Sequence, residues 1–242
     1  MCATCGCADD AGVRVIDLDH GQGHGHQHDD RTVVLEQKVL ARNDSRASAN
    51  RAWLAERGIA AINLMSSPGS GKTTLLERTI RSLDRPVSVI EGDQETVFDA
   101  DRIRATGCRA VQVNTGAGCH LDAEMVASAL DSLAPAVRSL VFIENVGNLV
   151  CPALFDLGEA ARAVLVSVTE GEDKPLKYPH MFRSADVVLL NKVDLLPYLT
   201  FSVDKFVGFL RQVCPTAPLL PVSAARGDGL ADWSTWLEGQ VA

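Results

Sequence analysis

The sequence predicts an α/β fold in which a mostly parallel central sheet is flanked by helices, with a flexible segment in front of it. Three observations carry this expectation. Short apolar runs recur near 59–65, 87–90, 110–113, 139–143, 163–168, 186–190 and 218–222. Amphipathic stretches near 72–83, 121–133, 201–213 and 230–239 follow several of them, and buried strands covered by helices leave this alternation. A chain of 242 residues, 46% hydrophobic and 22% charged, is long and apolar enough to bury one large core.

Charge and patterning exclude several classes. Lys and Arg number 23 against 31 Asp and Glu, so a net charge of −8 gives no overall field for holding nucleic acid. No apolar run approaches the roughly 18 residues that span a bilayer, and the start has neither a basic n-region nor an apolar h-region. The expectation is a cytoplasmic protein with no nucleic-acid partner and no membrane span. Seven cysteines, an odd and clustered set, point in a reducing compartment to thiolate chemistry more than to disulfides.

The first thirty residues differ in kind from the rest. Six aspartates against Arg14 account for −5 of the −8, and few large apolar side chains are available to offset ordering entropy. Cys2, Cys5 and Cys7 put three thiols within six residues, a soft, compact ligand set suited to nickel or zinc. His20, His24, His26 and His28 form a second, weaker chelating stretch. The expected organisation is a disordered Cys/His metal-binding tail over 1–30 and a single nucleotide-binding domain over 31–242. From Val33 to Glu56 apolar residues at mixed spacings of three and four predict one helix, or two broken around Asn43–Ser48, ended by Gly58.

The first predicted strand runs into Ser66-Ser67-Pro68-Gly69-Ser70-Gly71-Lys72-Thr73-Thr74 and then a helix. Strand, Gly-rich turn ending in Gly-Lys-Thr, and helix is the context of a phosphate-binding P-loop. N–H groups of Gly69, Ser70, Gly71 and Lys72 are expected to cradle phosphates at a helix N-terminus, Lys72 to reach the β and γ phosphates, and Thr73 to ligate Mg²⁺. Thr74 completes the set. One departure stands out, since Ser66 occupies the position of the usual first glycine.

Base choice is expected from Asn191-Lys192-Val193-Asp194 after the sixth strand. A carboxylate at Asp194 accepts both hydrogen bonds of the guanine N1–H and N2–H₂ edge, which adenine lacks; Asn191 braces the loop, and the Lys192 stem covers the base. Ser223 and Ala224 supply a second guanine loop after the seventh strand. Glu91-Gly92-Asp93 and Glu144-Asn145-Val146-Gly147 follow two further strands, where ligands of open α/β sheets bind. Asp93 is assigned to Mg²⁺, directly or through water, with an ordinary helix N-cap as the alternative. Glu144 is assigned to the Mg²⁺ shell or to the attacking water, and Gly147 to an approach to the γ-phosphate.

Cys119-His120 precedes the helix at Leu121, and Cys151 follows the 144–150 segment. Each lies just past a strand end, so the three could share an exchangeable metal one ligand short of a closed tetrahedral site. Spacing alone fits unrelated buried cysteines equally well.

Taken together, Cys2-x-x-Cys5-Gly6-Cys7, the histidine-bearing linker, the 66–74 loop, Glu91-Gly92-Asp93, Asn114-Thr115-Gly116 through Asp122, Glu144–Pro152, Thr169–Lys174 and Asn191-Lys192-x-Asp194 resemble the hydrogenase nickel incorporation GTPases, the HypB family. The resemblance spans essentially the whole chain and tolerates Ser66. It implies a metallochaperone GTPase of the signal-recognition and MinD-like class, a homodimer when GTP is bound, that hydrolyses GTP slowly and helps insert nickel into the large-subunit precursor of [NiFe]-hydrogenase. It further implies work with the accessory protein HypA and, in some organisms, with SlyD. Cys119, His120 and Cys151 become the implied Ni²⁺ or Zn²⁺ ligands of the domain, near the dimer interface, and Asp173 and Lys174 contacts to the partner's nucleotide. A urease-type nickel chaperone, a nickel buffer with a vestigial GTPase domain and a small-molecule P-loop kinase are the alternatives.

Overall fold

A computed structural model of the chain describes residues 30–93, 98–116 and 118–241, apart from the side chains of 30–37, 93 and 98–100. Cys2, Cys5, Cys7, His20, His24, His26, His28 and the Asp93 side chain lie outside the described residues. The chain divides into two compact units, residues 1–42 and 43–242. Helix α1 (Asp30–Glu56) begins in the first and ends in the second.

The second unit is built on a seven-stranded sheet of order β3-β2-β4-β1-β5-β6-β7. Its strands are β1 (Ala60–Ser66), β2 (Val87–Asp93), β3 (Arg109–Asn114), β4 (Leu140–Glu144), β5 (Ala161–Ser167), β6 (Val187–Asn191) and β7 (Leu219–Pro221). Every pairing is parallel, and all seven coincide with the predicted apolar runs. Central β1 pairs with β4 on one side and β5 on the other, so Leu64 sits opposite both Glu144 and Ala163. The chain therefore leaves β1 toward one edge and returns to the other side of it, which opens a crevice at the strand's carboxyl end.

The period-two alternation of a strand divides the core. Along β5 and the residue after it, Ala161, Ala163 and Leu165 join one apolar cluster and Val164, Val166 and Val168 the other. Helices α2 (Lys72–Ser82) and α8 (Leu230–Glu238) cover the first with Leu75, Leu76, Trp233 and Leu237. Helices α6 (Pro179–Arg183) and α7 (Val203–Val213) cover the second with Met181, Phe182, Phe206 and Leu210. The fully buried Trp233 donates its indole N–H to Thr79 Oγ1 at 2.9 Å, as a buried indole requires.

Of the two alternatives for the 33–56 stretch, one continuous helix or two, α1 takes the first, because Asn43 and Asn50 use their polarity inward. Asn50 Nδ2 donates to the carbonyls of Ala123 (2.8 Å) and Leu157 (3.0 Å). Asn43 donates to the Asp156 carbonyl at 2.8 Å and accepts from Ala123 N at 2.9 Å. Short elements also appear that periodicity could not announce: α3 (Phe98–Arg104), α5 (Lys174–Lys177), α6, and 3₁₀ turns at Cys151–Leu154 and Val193–Tyr198. α4 (Ala123–Leu133) begins two residues later than predicted, with Asp122 capping Met125 N at 2.8 Å.

Candidate functional site

Strand β1 delivers the chain into the 66–74 loop at the crevice, and α2 carries it away. Gly69 and Gly71 take φ of +73° and +101°, a region that L side chains rarely enter. Gly71 is doubly required, since a Cβ there would lie 2.6 Å from Asn191 Nδ2. The departure at Ser66 acquires a purpose, because Lys72 Nζ donates to the buried Ser66 Oγ at 2.9 Å. Gly147 closes on the loop from the β4 side, where a Cβ would stand 3.1 Å from Pro68 Cα.

The residues predicted to recognise the base gather against this loop. Asn191, at the end of β6, donates to the Ser70 carbonyl (2.8 Å) and accepts from Ala224 N (3.0 Å), so one buried amide joins two loops. Lys192, in the left-handed region at φ +62°, donates to the Gly69 carbonyl at 2.8 Å, which lays its stem along the loop. Ser223 Oγ donates to Asp194 Oδ1 at 2.6 Å.

Thr73 Oγ1 donates to Glu144 Oε1 at 3.1 Å, bringing together two of the three predicted Mg²⁺ ligands. Glu144 ends β4 and sits in register with Leu64 on one side and Glu91 on the other, so Glu91 and Glu144 are neighbouring buried carboxylates. Asp93 ends β2, opposite Asn114.

The thiolate and imidazole candidates also converge. Cys119 Sγ lies 3.0 Å from Cys151 Sγ and 3.7 Å from His120 Nδ1, and one ligand atom from each of the three residues falls within a 4.8 Å cluster. His120 stacks on Phe155 with ring centroids 4.0 Å apart. Burial holds its imidazole below the ordinary histidine pKa, partly offset by the charge of Asp122. A lowered pKa keeps the ring neutral, as a metal ligand must be. The two regions are physically joined by Asn145, whose Oδ1 accepts from Leu121 N (3.2 Å) and Val146 N (3.0 Å). Asn145 follows Glu144 directly, and Leu121 follows His120.

Sequence reasoning passed over two side chains that touch the loop. Glu170 accepts from the hydroxyls of Ser67 and Ser70. Arg102 donates to Thr74 Oγ1 at 3.2 Å and pairs with Glu77 at 2.7 Å. Glu170 lies in the 169–174 motif beside Asp173 and Lys174, to which the family resemblance points; Arg102 sits in the short α3, which carries no sequence signal.

Fold and loop together define a P-loop GTPase. The model of the CobW/HypB/UreG nucleotide-binding domain matches residues 60–221. The hydrogenase maturation factor HypB of Azotobacter chroococcum is 54% identical over 235 residues, covering 94% of this chain and 77% of that one. That of Escherichia coli K12 is also 54% identical, covering 93% and 80%. The crystal structure of HypB from Helicobacter pylori in complex with nickel superposes with a TM-score of 0.78 at 39% identity, covering 83% of this chain and 98% of that one. The chain belongs to the HypB family of hydrogenase maturation factors.

Proposed function

We propose that this chain is a nickel metallochaperone whose nucleotide state sets the geometry of the Cys119, His120 and Cys151 cluster. The observation that carries the proposal is the Asn145 link between the carboxylate that faces Thr73 and the backbone beside His120. In this reading the N–H groups of Gly69 to Lys72 and the Lys72 ammonium hold the phosphates of GTP, while Asp194, Lys192 and Ser223 hold and select the guanine. The Thr73 hydroxyl and the Glu144 carboxylate are hard oxygen donors of the kind Mg²⁺ takes beside substrate phosphates, so the residues present fit that ion. Mg²⁺, when bound there, screens the phosphate charge. Thr73 and Glu144 would hold it, with Asp93 as the third candidate, and Glu144 would also orient the attacking water.

Ni²⁺ is the cargo. Two thiolates and a neutral imidazole suit it, and they suit Zn²⁺ as well. Three ligands leave the shell open, which favours exchange with a second copy across a GTP-dependent dimer or with a recipient. Cys2, Cys5 and Cys7 in the 1–30 segment would form a tighter separate site, with the four histidines of that segment contributing weakly. The nickel binding of the Helicobacter pylori relative supports the cargo assignment, and the names of the Azotobacter and Escherichia relatives support a hydrogenase as recipient, on our reading its large-subunit precursor. HypA, and SlyD where it occurs, would be the accessory partners, and the working compartment the cytoplasm.

The test is metal titration of a full-length Cys2→Ser, Cys5→Ser, Cys7→Ser variant, with GDP and then with a non-hydrolysable GTP analogue. A nucleotide-dependent change in nickel affinity or in preference over zinc is the expected result, and linkage then requires metal to change nucleotide affinity equally. Identical titrations in both states would separate the cluster from the switch.

A further inference from the structure

Glu170 stands between the phosphate loop and α5. Its side chain, only 14% exposed, spends both oxygens on this position. Oε1 accepts from Ser70 Oγ at 3.1 Å and from Ser167 N at 2.9 Å. Oε2 accepts from Ser67 Oγ and pairs with the Lys174 ammonium at 3.3 Å. The single Ser70 hydroxyl proton is shared between Glu170 Oε1 and the Ser67 carbonyl, 2.8 Å from Ser70 Oγ, so the two serines and the carboxylate close a small network across the loop.

A carboxylate is an unexpected neighbour for a phosphate site. Its negative charge opposes phosphate binding, and a merely structural acceptor could be neutral. The arrangement is favourable only while the serine hydroxyls take its lone pairs and Lys174 cancels its charge. Asn191 and Lys192 hold the loop from the β6 side through the Ser70 and Gly69 carbonyls. Glu170 holds it through side chains from the β5 side.

We propose that Glu170 is a positioning residue for GTP binding, tying Ser67 and Ser70 of the phosphate loop to Lys174 at the start of α5. The proposal rests on the reading of the 66–74 loop as the nucleotide site. Its consequence is that movement of α5 is felt in the loop: when Lys174 leaves Glu170, the loop wall gains a net negative charge.

The test compares full-length parent, Glu170→Ala, Glu170→Gln and Ser67→Ala/Ser70→Ala proteins by GDP and GTP affinity, KM and kcat, with melting temperature recorded for each. Glu170→Ala should weaken GTP about tenfold, the loss of charge-assisted hydrogen bonds that shape the site. Glu170→Gln, which keeps a carbonyl acceptor, should recover to within about threefold of the parent. In the Ser67→Ala/Ser70→Ala background Glu170→Ala should add little to the loss of GTP affinity, because its hydrogen bonds to the phosphate loop are already gone and those to Ser167 N and Lys174 lie outside it. Tighter GTP binding by Glu170→Ala, unchanged affinity, or effects additive with the serine changes would each overturn the proposal. If Glu170→Ala does not fold, weakening in the serine variant with an unchanged melting temperature supports the assignment, and unchanged affinity there overturns it. Parent protein that fails to bind GTP would instead remove the reading of the loop itself.

Discussion

Asn191 Nδ2 reaches across the crevice to the carbonyl of Ser70, 2.8 Å away, and the same side chain accepts from the backbone of Ala224. The residue that opens the proposed base-recognition loop is therefore part of the wall of the 66–74 loop. The two loops share one buried joint.

That joint is testable. Asn191→Ala leaves the Ser70 carbonyl and the Ala224 N–H without these bonds in a buried position. Stability should fall by about 2 kcal/mol, and GTP affinity by about tenfold or more, because both loops lose their brace. Urea denaturation and equilibrium binding of a fluorescent GTP analogue measure the two losses. A stability loss with unchanged affinity would mean that the loops hold their shape without this amide.

Asp194 should set the choice of base. In Asp194→Asn one acceptor oxygen becomes a donor that faces the guanine N1–H and N2–H₂ edge, and the same donor suits xanthine. GTP binding should weaken by about tenfold or more while XTP binding strengthens relative to GTP. Competition between GTP and XTP reads this directly; an unchanged ratio would place guanine selection elsewhere.

The pair of Arg51 and Asp156 gives a pH dependence. Burial by itself would raise the Asp156 carboxyl, but the Arg51 hydrogen bonds, at 2.6 and 2.7 Å, the Gly158 N–H and the Arg51 charge hold it below the usual carboxylate range. A depressed folded-state pKa contributes stability above the unfolded value of 3.8 and loses it as pH falls through the folded value. Both side chains are about a third to half exposed, so the contribution at neutral pH is discounted to about 1 kcal/mol or less. Asp156→Asn should therefore cost up to about 1 kcal/mol at pH 7, and the gap from the parent should shrink as pH drops below about 4. Urea melts at several pH values follow it; a gap that widens toward acid would reverse the sign argued here.

Cys108 should be chemically quiet. Burial pushes its thiol up to about 11, and its Sγ donates to the Val87 carbonyl at 3.2 Å. At pH 8 only about a thousandth of it is thiolate, so alkylation by iodoacetamide should be at least about tenfold slower than for free cysteine. The rate should climb about tenfold per pH unit from 8 to 10, tracking thiolate. Mass mapping identifies the labelled position, and a rate that levels off near pH 9 would contradict the raised pKa.

Much of this molecule is legible in its sequence, and the reason is burial. The inner strands, buried on both faces, are nearly continuous apolar runs and are visible for that reason, while the half-buried edge strands β3 and β7 show only as short apolar runs. The Gly69–Thr73 and Asn191–Asp194 motifs are local, so their chemistry is written in adjacent residues. What stays hidden is non-local or short. Whether α1 is one helix or two stays open in the sequence because the partners of Asn43 and Asn50, at Asp156, Ala123 and Leu157, lie 73 to 113 residues away. Helix α3 and the α5–α6 turns are too brief for periodicity to register. The approach of Cys119 to Cys151 is ambiguous in spacing and unmistakable in space, because β3 and β4 are separated by β2 in the sheet while the loops after them meet. Glu170 contacts serines about a hundred positions earlier, a relationship that no window along the chain could contain.

The braces of the phosphate loop have a bearing on how the protein is made. Asn191 lies 121 residues beyond Ser70, and Trp233 lies 154 beyond Thr79, the residue of α2 it supports. A ribosome releases the loop long before it releases what holds it. During that interval the β1–α2 segment has its glycines and its lysine but neither its wall nor its floor. Both braces are thus made well after the loop, so the folded geometry of the loop waits on residues 121 to 154 positions further along the chain.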